Sequence, residues 1–381
     1  MSKYPDIPNR CSARIDLTAI THNARALRGI WGEGRALMGI VKADAYGHGI
    51  SSVIRALDPN VEMFGVAGLA EAGQLQQALD NSGKDIFLLG AVLQGEREAV
   101  VEKGLIIPVS NLEEAEAFEA IAAEKGSRAR VHVVIDTGMG RIGMGEAEFD
   151  ALLQSLQTFE HLSVEGLASH FPVADEESQD FTLDQIERFR ELAERFRDHF
   201  PEASHIHIAN SAGLLRYAEH LDFTTLARPG LALYGVAPGG FGQQHLKPAL
   251  ILKTEIALIR DLPPGQSISY GRTFITSRVP TKKVAVLAAG YGDGYLRHLS
   301  NAGAEVLIGG QRCPLLGTVT MDQIMVDISE LSSSAKLGDE AILIGSQGVE
   351  EISATEIAEK SGTIPWEVFT GITPRVVRIY S

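Results

Sequence analysis

A chain of 381 residues with 45% hydrophobic content exceeds one ordinary core and is apolar enough to fill more than one. A formal net charge of −15 argues against non-specific binding to nucleic acid or to an anionic membrane, and no uninterrupted apolar run is long enough to span a bilayer. Cys11 and Cys313 are too few for a disulfide framework or a cysteine-based zinc site, and Met1 to Pro8 lacks the apolar segment of a secretory signal, so a cytoplasmic location is expected.

In chain order, the first two-thirds alternates short apolar runs with amphipathic stretches. Strands are predicted at Leu37–Lys42, Met63–Val66, Ile86–Leu89, Ile106–Val109, Val131–Asp136, Val164–Leu167, His205–Ala209 and Thr225–Arg228. Helices are predicted at Leu69–Leu79, Leu112–Ala123, Glu146–Leu156 and Leu183–Phe200; in the last, Ile186, Phe189, Leu192 and Phe196 recur at helical spacing. Eight strands in this alternation predict a (β/α)8 TIM-type barrel, with an open doubly wound sheet as the alternative. After about Gly240 strands follow one another directly: Leu250–Ile259, Val284–Ala289, Glu305–Ile308, Leu315–Thr320, Ile324–Ile328 and Glu340–Ile344. Turn signals such as Pro263-Pro264-Gly265 and Gly309-Gly310 separate them, which predicts an all-β domain. The expected fold class is therefore α/β + β, with a barrel over residues 12–243, a C-terminal β-domain over 244–381, and residues 1–11 able to pack with the second.

Barrel chemistry sits at the C-terminal ends of the strands. Lys42 ends the first predicted strand, Asp136 and Arg141 follow the fifth, His170 the sixth and Asn210-Ser211 the seventh, while Arg228 ends the eighth. These residues would converge on one rim. Lys42 stands at the tip of an apolar strand, where desolvation disfavours the ammonium and leaves an amine suited to imine chemistry. The loops Ala209–Gly213 and Arg228–Leu231 follow the last two strands, where barrels often bind phosphate, so a phosphorylated cofactor is expected. Asp44 and His48 share helical spacing without a third ligand, so no metal site is expected.

Seven segments then become specific. They are Val41-Lys42-Ala43-Asp44-Ala45-Tyr46-Gly47-His48-Gly49, Asp136-Thr137-Gly138-Met139-Gly140-Arg141-Ile142-Gly143, Ser169-His170-Phe171 and Ala209-Asn210-Ser211-Ala212, followed by Ala227-Arg228-Pro229-Gly230-Leu231-Ala232-Leu233-Tyr234-Gly235, Gly290-Tyr291-Gly292-Asp293-Gly294-Tyr295 and Val319-Thr320-Met321-Asp322-Gln323. In order and over nearly the whole chain, they resemble the motifs of alanine racemases. The resemblance implies a barrel followed by a β-domain, pyridoxal 5'-phosphate as cofactor, and two-base racemisation of L-alanine and D-alanine, supplying D-alanine for peptidoglycan. It implies that Lys42 carries the cofactor covalently and acts as one base, and that Tyr291 is the opposing base. Tyr46, Ser211, Gly230 and Leu231 would hold the phosphate, with Asn210 beside them. Arg228 would face the ring nitrogen, where a permanent cation disfavours protonation and keeps the Cα carbanion short-lived. His170 would bridge from Arg228 toward Tyr291, Arg141 would contact the substrate carboxylate or the cofactor's phenolic oxygen, and Met321 would contact the carboxylate through its backbone, with Asp136 in support. Tyr291 and Met321 would arrive from a second copy, in a head-to-tail homodimer with shared sites. Read singly, Asn210-Ser211 is a helix cap, Tyr291 a packing residue, and Asp136 to Arg141 a tight glycine turn.

Two departures stand out. Many members carry a carbamylated lysine two residues before the motif aspartate, where this chain has Val134. A phosphate-contacting tyrosine near the C-terminus is replaced by Pro374 in Ile372-Thr373-Pro374-Arg375-Val376-Val377-Arg378. The other readings weighed are a broader-specificity racemase, acting on serine for example, a decarboxylase of related fold and a non-catalytic cofactor-binding protein. The decarboxylase would need a cysteine in the C-terminal domain within its own motif and an acidic partner for the ring nitrogen. Only Cys313 is present there, outside that motif.

Overall fold

A computed structural model describes residues 9–79, 83–277 and 282–381. The described residues divide into two compact units: those within 19–45 and 50–247, and those within 9–18, 46–49 and 248–381. The expected division at 243/244 falls just before the observed one, because Asn23 ties residue 247 to the first unit. Its Nδ2 donates to the Lys247 carbonyl at 2.8 Å, and its Oδ1 accepts the Lys247 N–H at 2.7 Å. Residues 12–18 group with the second unit, and 1–8 lie outside the described residues.

The first strand of the chain, β1 (Cys11–Ile15), belongs to that second unit. The first unit then supplies β2 (Ala36–Ile40), β3 (Met63–Val66), β4 (Asp85–Leu88), β5 (Ile106–Val109), β6 (Ala129–Val134), β7 (Leu162–Ala168), β8 (His205–His207) and β9 (Leu226–Ala227). All pairings are parallel, in the order β8-β7-β6-β5-β4-β3-β2-β9. Closure comes from backbone bonds flanking the ends: Thr225 N–H donates to the Ile206 carbonyl at 2.9 Å and Arg228 N–H to that of Ala209 at 2.8 Å. The barrel reading holds, and the open sheet is excluded by this closure.

The covering helices follow the predicted periodicity. Asp180–His199 buries Thr182, Gln185, Ile186, Phe189, Leu192, Ala193 and Phe196 on one face. Full burial of a phenylalanine contributes roughly 1.5–3 kcal/mol. Leu112–Glu124 starts at Asn111, whose Oδ1 accepts the Glu114 N–H at 2.8 Å, satisfying one free donor of the first turn.

Barrel centres are usually filled by branched aliphatic side chains. This one carries a polar column. Arg130 of β6 pairs through both edges of its guanidinium with Asp85 of β4 and Glu165 of β7. Further along β6, His132 meets His207 of β8, and His207 meets Arg228 just beyond β9.

The second unit contains β10 (Leu250–Leu262), β11 (Ser267–Ile268), β12 (Phe274–Ile275), β13 (Lys282–Leu287), β14 (Glu305–Ile308), β15 (Gln311–Pro314), β16 (Ile324–Asp327), β17 (Glu340–Gln347), β18 (Glu350–Ile352) and β19 (Val377–Tyr380). Among the described residues, nine of its strands form one sheet around the long β10, which pairs with β1, β13 and β17. The predicted strand Leu315–Thr320 is not formed. Gly309 and Gly310, at φ +59° and +75°, make a tight turn that returns the chain at Gln311, so β15 pairs with β14 in the register Ile308↔Gln311. The polar Gln311 and Arg312 hid this strand. Arg312 is matched by Glu305, Glu350 and Glu356.

Candidate active site

Lys42 lies two residues past β2, which ends at Ile40 rather than at the lysine. The chain does not continue as an ordinary loop. Ala43, Asp44, Ala45 and Tyr46 all adopt φ of +52° to +54°, one left-handed turn without a glycine. Each such residue costs about 1–2 kcal/mol, so the turn must be held from outside. Ala45 N–H donates to the Val41 carbonyl at 2.9 Å, and Asp44 Oδ1 accepts the Ile50 N–H at 2.8 Å. Glu71 Oε1 accepts the Ala43 N–H at 2.7 Å. Burial and the cations Arg141 and Arg228 push the Lys42 ammonium below its usual pKa, and Glu71 acts in the opposite sense.

Arg228 is 6% exposed and pairs with no carboxylate among the described residues. Its Nη2 donates to the Ser169 carbonyl at 2.5 Å, the Ile208 carbonyl at 3.3 Å and His170 Nδ1 at 3.0 Å. Its Nη1 donates to the His207 carbonyl at 3.0 Å and to His207 Nδ1. Burial, reinforced by Arg141, lowers its pKa to about 9, which still leaves it cationic at neutral pH. A guanidinium only donates, so both imidazoles meet it through an unprotonated Nδ1. His207 then donates from Nε2 to His132 Nδ1 at 2.9 Å, leaving the buried His132 Nε2 without a partner among the described residues. Burial, then Arg228, holds His170 and His207 well below the usual imidazole pKa, and burial does the same for His132. His132 and His207 were missed in the sequence, where alternate inward positions on short apolar strands were their only signal.

Ser211 gathers the loops after β8 and β9. Its Oγ accepts the N–H groups of Gly230 at 2.9 Å and Ala232 at 3.2 Å, which leaves the hydroxyl proton free to donate. Leu231 lies between those two residues. Asn210 caps the following helix, its Oδ1 accepting the Gly213 N–H at 2.9 Å, and its Nδ2 donates to the Phe171 carbonyl at 3.3 Å. This donor set fits pyridoxal phosphate. It combines a hydroxyl and amide loops with three cations, Lys42, Arg141 and Arg228, and among the described residues the only carboxylate acting on Lys42 is that of Glu71.

The loop after β6 is organised by Asp136, whose carboxylate accepts the N–H groups of Gly138, Met139 and Gly140, each at 2.8 Å. Asp136 is thus spent on the turn. Arg141 is exposed and makes no side-chain hydrogen bond or ion pair among the described residues; Val134 is buried. Gln185 locks this loop to the next, donating to Thr137 Oγ1 at 2.7 Å and to the His170 carbonyl at 2.9 Å.

Tyr46, Tyr291 and Met321 belong to the other unit. Tyr46 is buried, and that burial raises its phenol. Tyr291 N–H donates to the Thr320 carbonyl at 3.0 Å and Gly292 N–H to that of Met321 at 2.8 Å, so the two segments are laced together. Both side chains are exposed, Tyr291 by 39% and Met321 by 51%. Asp293, which is buried, supports the turn: it accepts the Gly290 N–H at 2.9 Å and a fork from Arg375 at 2.8 and 3.0 Å. Arg375 also pairs with Asp322 at 2.8 Å. Pro374 precedes this arginine and is exposed. Cys313 is buried, which pushes its thiol up to about 11 and removes it as a ready nucleophile. No helix among the described residues is long and apolar enough to cross a membrane.

Comparison with known proteins agrees with this geometry. The family described as "Alanine racemase, N-terminal domain" matches residues 15–238, and "Alanine racemase, C-terminal domain" matches residues 249–380. The alanine racemase of Geobacter sulfurreducens is 40% identical over 376 residues, covering 97% of this chain and 96% of that protein. The structure of alanine racemase from Streptomyces coelicolor A3(2) superposes with a TM-score of 0.89 at 34% identity, covering 97% of this chain and 98% of that one. The structure of alanine racemase from Bartonella henselae with covalently bound pyridoxal phosphate gives a TM-score of 0.89 at 28% identity, covering 98% of this chain and 100% of that one.

Proposed function

Because this chain belongs to the alanine racemase family, we propose that it interconverts L-alanine and D-alanine with pyridoxal 5'-phosphate. The observation that carries the reading is the barrel rim itself. A lysine of lowered proton affinity stands there with a buried arginine that is paired with imidazole and carbonyl acceptors and, among the described residues, with no acid. Bound pyridoxal phosphate supplies an electron-withdrawing ring that acidifies the Cα proton of an attached amino acid.

In this reading Lys42 holds the cofactor, and its Nζ takes or returns the proton on the D face. Ser211, Gly230 and Leu231 hold the phosphate, with Asn210 fixing the helix start behind them. Arg228 faces the ring nitrogen and, lacking a proton acceptor, favours prompt return of the Cα proton over side reactions. His170 presents its Nε2–H outward from Arg228, and Arg141 takes the substrate carboxylate.

Tyr291 is assigned as the opposing base on the L face, supplied with Met321 by a second copy of the chain in a head-to-tail homodimer. The exposure of both side chains on their own unit supports this assignment. Two bases on opposite faces let a proton leave one side and return to the other without turning the substrate. We place the enzyme in the cytoplasm, where it supplies D-alanine for peptidoglycan.

The test is incubation of the protein with each L-amino acid in deuterated water. Inversion of alanine with deuterium at Cα is expected. Release of carbon dioxide, or no exchange at Cα, would reject the reading.

A further inference from the structure

Glu71 has no part in the activity described above, yet its carboxylate is placed against the lysine's own backbone. It lies in the first turn of the helix Leu69–Ala78. An acid there would ordinarily be read as favouring the helix N-terminus. Its two oxygens do something more specific. Oε1 accepts the Ala43 N–H at 2.7 Å, and Oε2 accepts the Ala67 N–H at 2.8 Å. Ala67 immediately follows β3, and Ala43 immediately follows Lys42. Val41 N–H donates to the Gly65 carbonyl at 3.0 Å. Beyond that point the carboxylate takes over, tying the ends of two neighbouring strands together at the rim.

We propose that Glu71 is a positioning residue for Lys42, its carboxylate clamping the start of the left-handed turn that immediately follows the lysine at the barrel rim. Ala43 is the first of five successive residues with positive φ, of which only the last, Gly47, is a glycine. L-residues leave that region unless held, and Glu71 holds the residue next to the lysine. Its negative charge also opposes the effect of Arg141 and Arg228 on the Lys42 amine. Geometry and charge therefore act on the same side chain. A role confined to the helix start would affect stability and leave Lys42 untouched.

The inference rests on the reading of Lys42 as a base. Its test uses the full-length, cofactor-loaded enzyme and the variants Glu71→Gln and Glu71→Ala. Ala43 is exposed, so its amide should exchange quickly with solvent unless clamped. In the wild type, slow hydrogen exchange is expected at both Ala43 and Ala67. In Glu71→Ala both should exchange at least about tenfold faster, as local opening becomes easy. In Glu71→Gln one of the two should stay protected, since the amide keeps one acceptor oxygen and gains a donor. The pH midpoint of the bound cofactor's visible band should fall in both variants, with kcat reduced by about tenfold and KM little changed, as for a misplaced reacting group.

Fast exchange at Ala43 in the wild type overturns the proposal, whatever the variants do. So does faster exchange in the variants with an unmoved band midpoint and unchanged kcat. Wild-type exchange of the alanine Cα proton reports separately on the racemase reading. That reading survives if only the clamp fails.

Discussion

Arg228 Nη2 donates to His170 Nδ1 at 3.0 Å, and this contact decides which imidazole nitrogen carries the proton. The guanidinium cannot accept, so His170 is the Nε2–H tautomer, and burial beside two arginines and a lysine keeps it neutral. The same logic runs inward through His207 to His132, giving the barrel core a column of neutral histidines with one defined direction.

That column makes stability depend on acidity. Burial depresses the pKa of His132, His170 and His207 in the folded state, whereas in the unfolded chain each titrates near about 6.5. Below that value the unfolded state binds more protons, so stability should be full above about pH 7 and fall progressively as pH drops below about 6.5. Urea unfolding across this range should show the slope, and His132→Gln should make it shallower by about one proton. A flat profile would contradict the neutral column.

Removing the Lys42 amine should remove the reaction without unfolding the barrel. Lys42→Ala is expected to lose the visible band of bound cofactor and at least about 10²-fold of activity. Absorbance spectra before and after cofactor addition check this, with circular dichroism confirming the fold.

Tyr291→Phe should act on one direction. Its hydroxyl makes no hydrogen bond among the described residues and its side chain is 39% exposed, so stability should change by no more than about 0.5 kcal/mol. Cα deuterium incorporation should slow selectively when L-alanine is the substrate. Equal, undiminished exchange from both enantiomers would remove Tyr291 from its assigned role.

Arg141 has no partner to disturb among the described residues, so Arg141→Ala should leave the melting temperature nearly unchanged. Its effect should appear as a raised KM for alanine, by about tenfold for a lost charge-assisted contact. If KM is unmoved, the substrate carboxylate is held elsewhere.

The barrel was legible because its strands are short apolar runs bounded by turn signals, and its rim was legible because polar residues follow those runs. Lys42, His170, Ser211 and Arg228 were all visible in that pattern. The sheet around β10 was read less well. β15 begins with polar residues whose charge is matched only in space, and β1 is inserted between β10 and the parallel β19, which no local pattern announces.

The amino-acid sequence by itself determined the fold class, the order of the barrel strands and which residues follow those strands at the rim. Those depend on periodicity and on neighbours along the chain. Tertiary structure alone decided the left-handed turn after Lys42, its clamp by Glu71, and the imidazole column behind Arg228. Each is stabilised by groups distant in sequence, and a backbone shape without glycine is affordable only where such partners hold it.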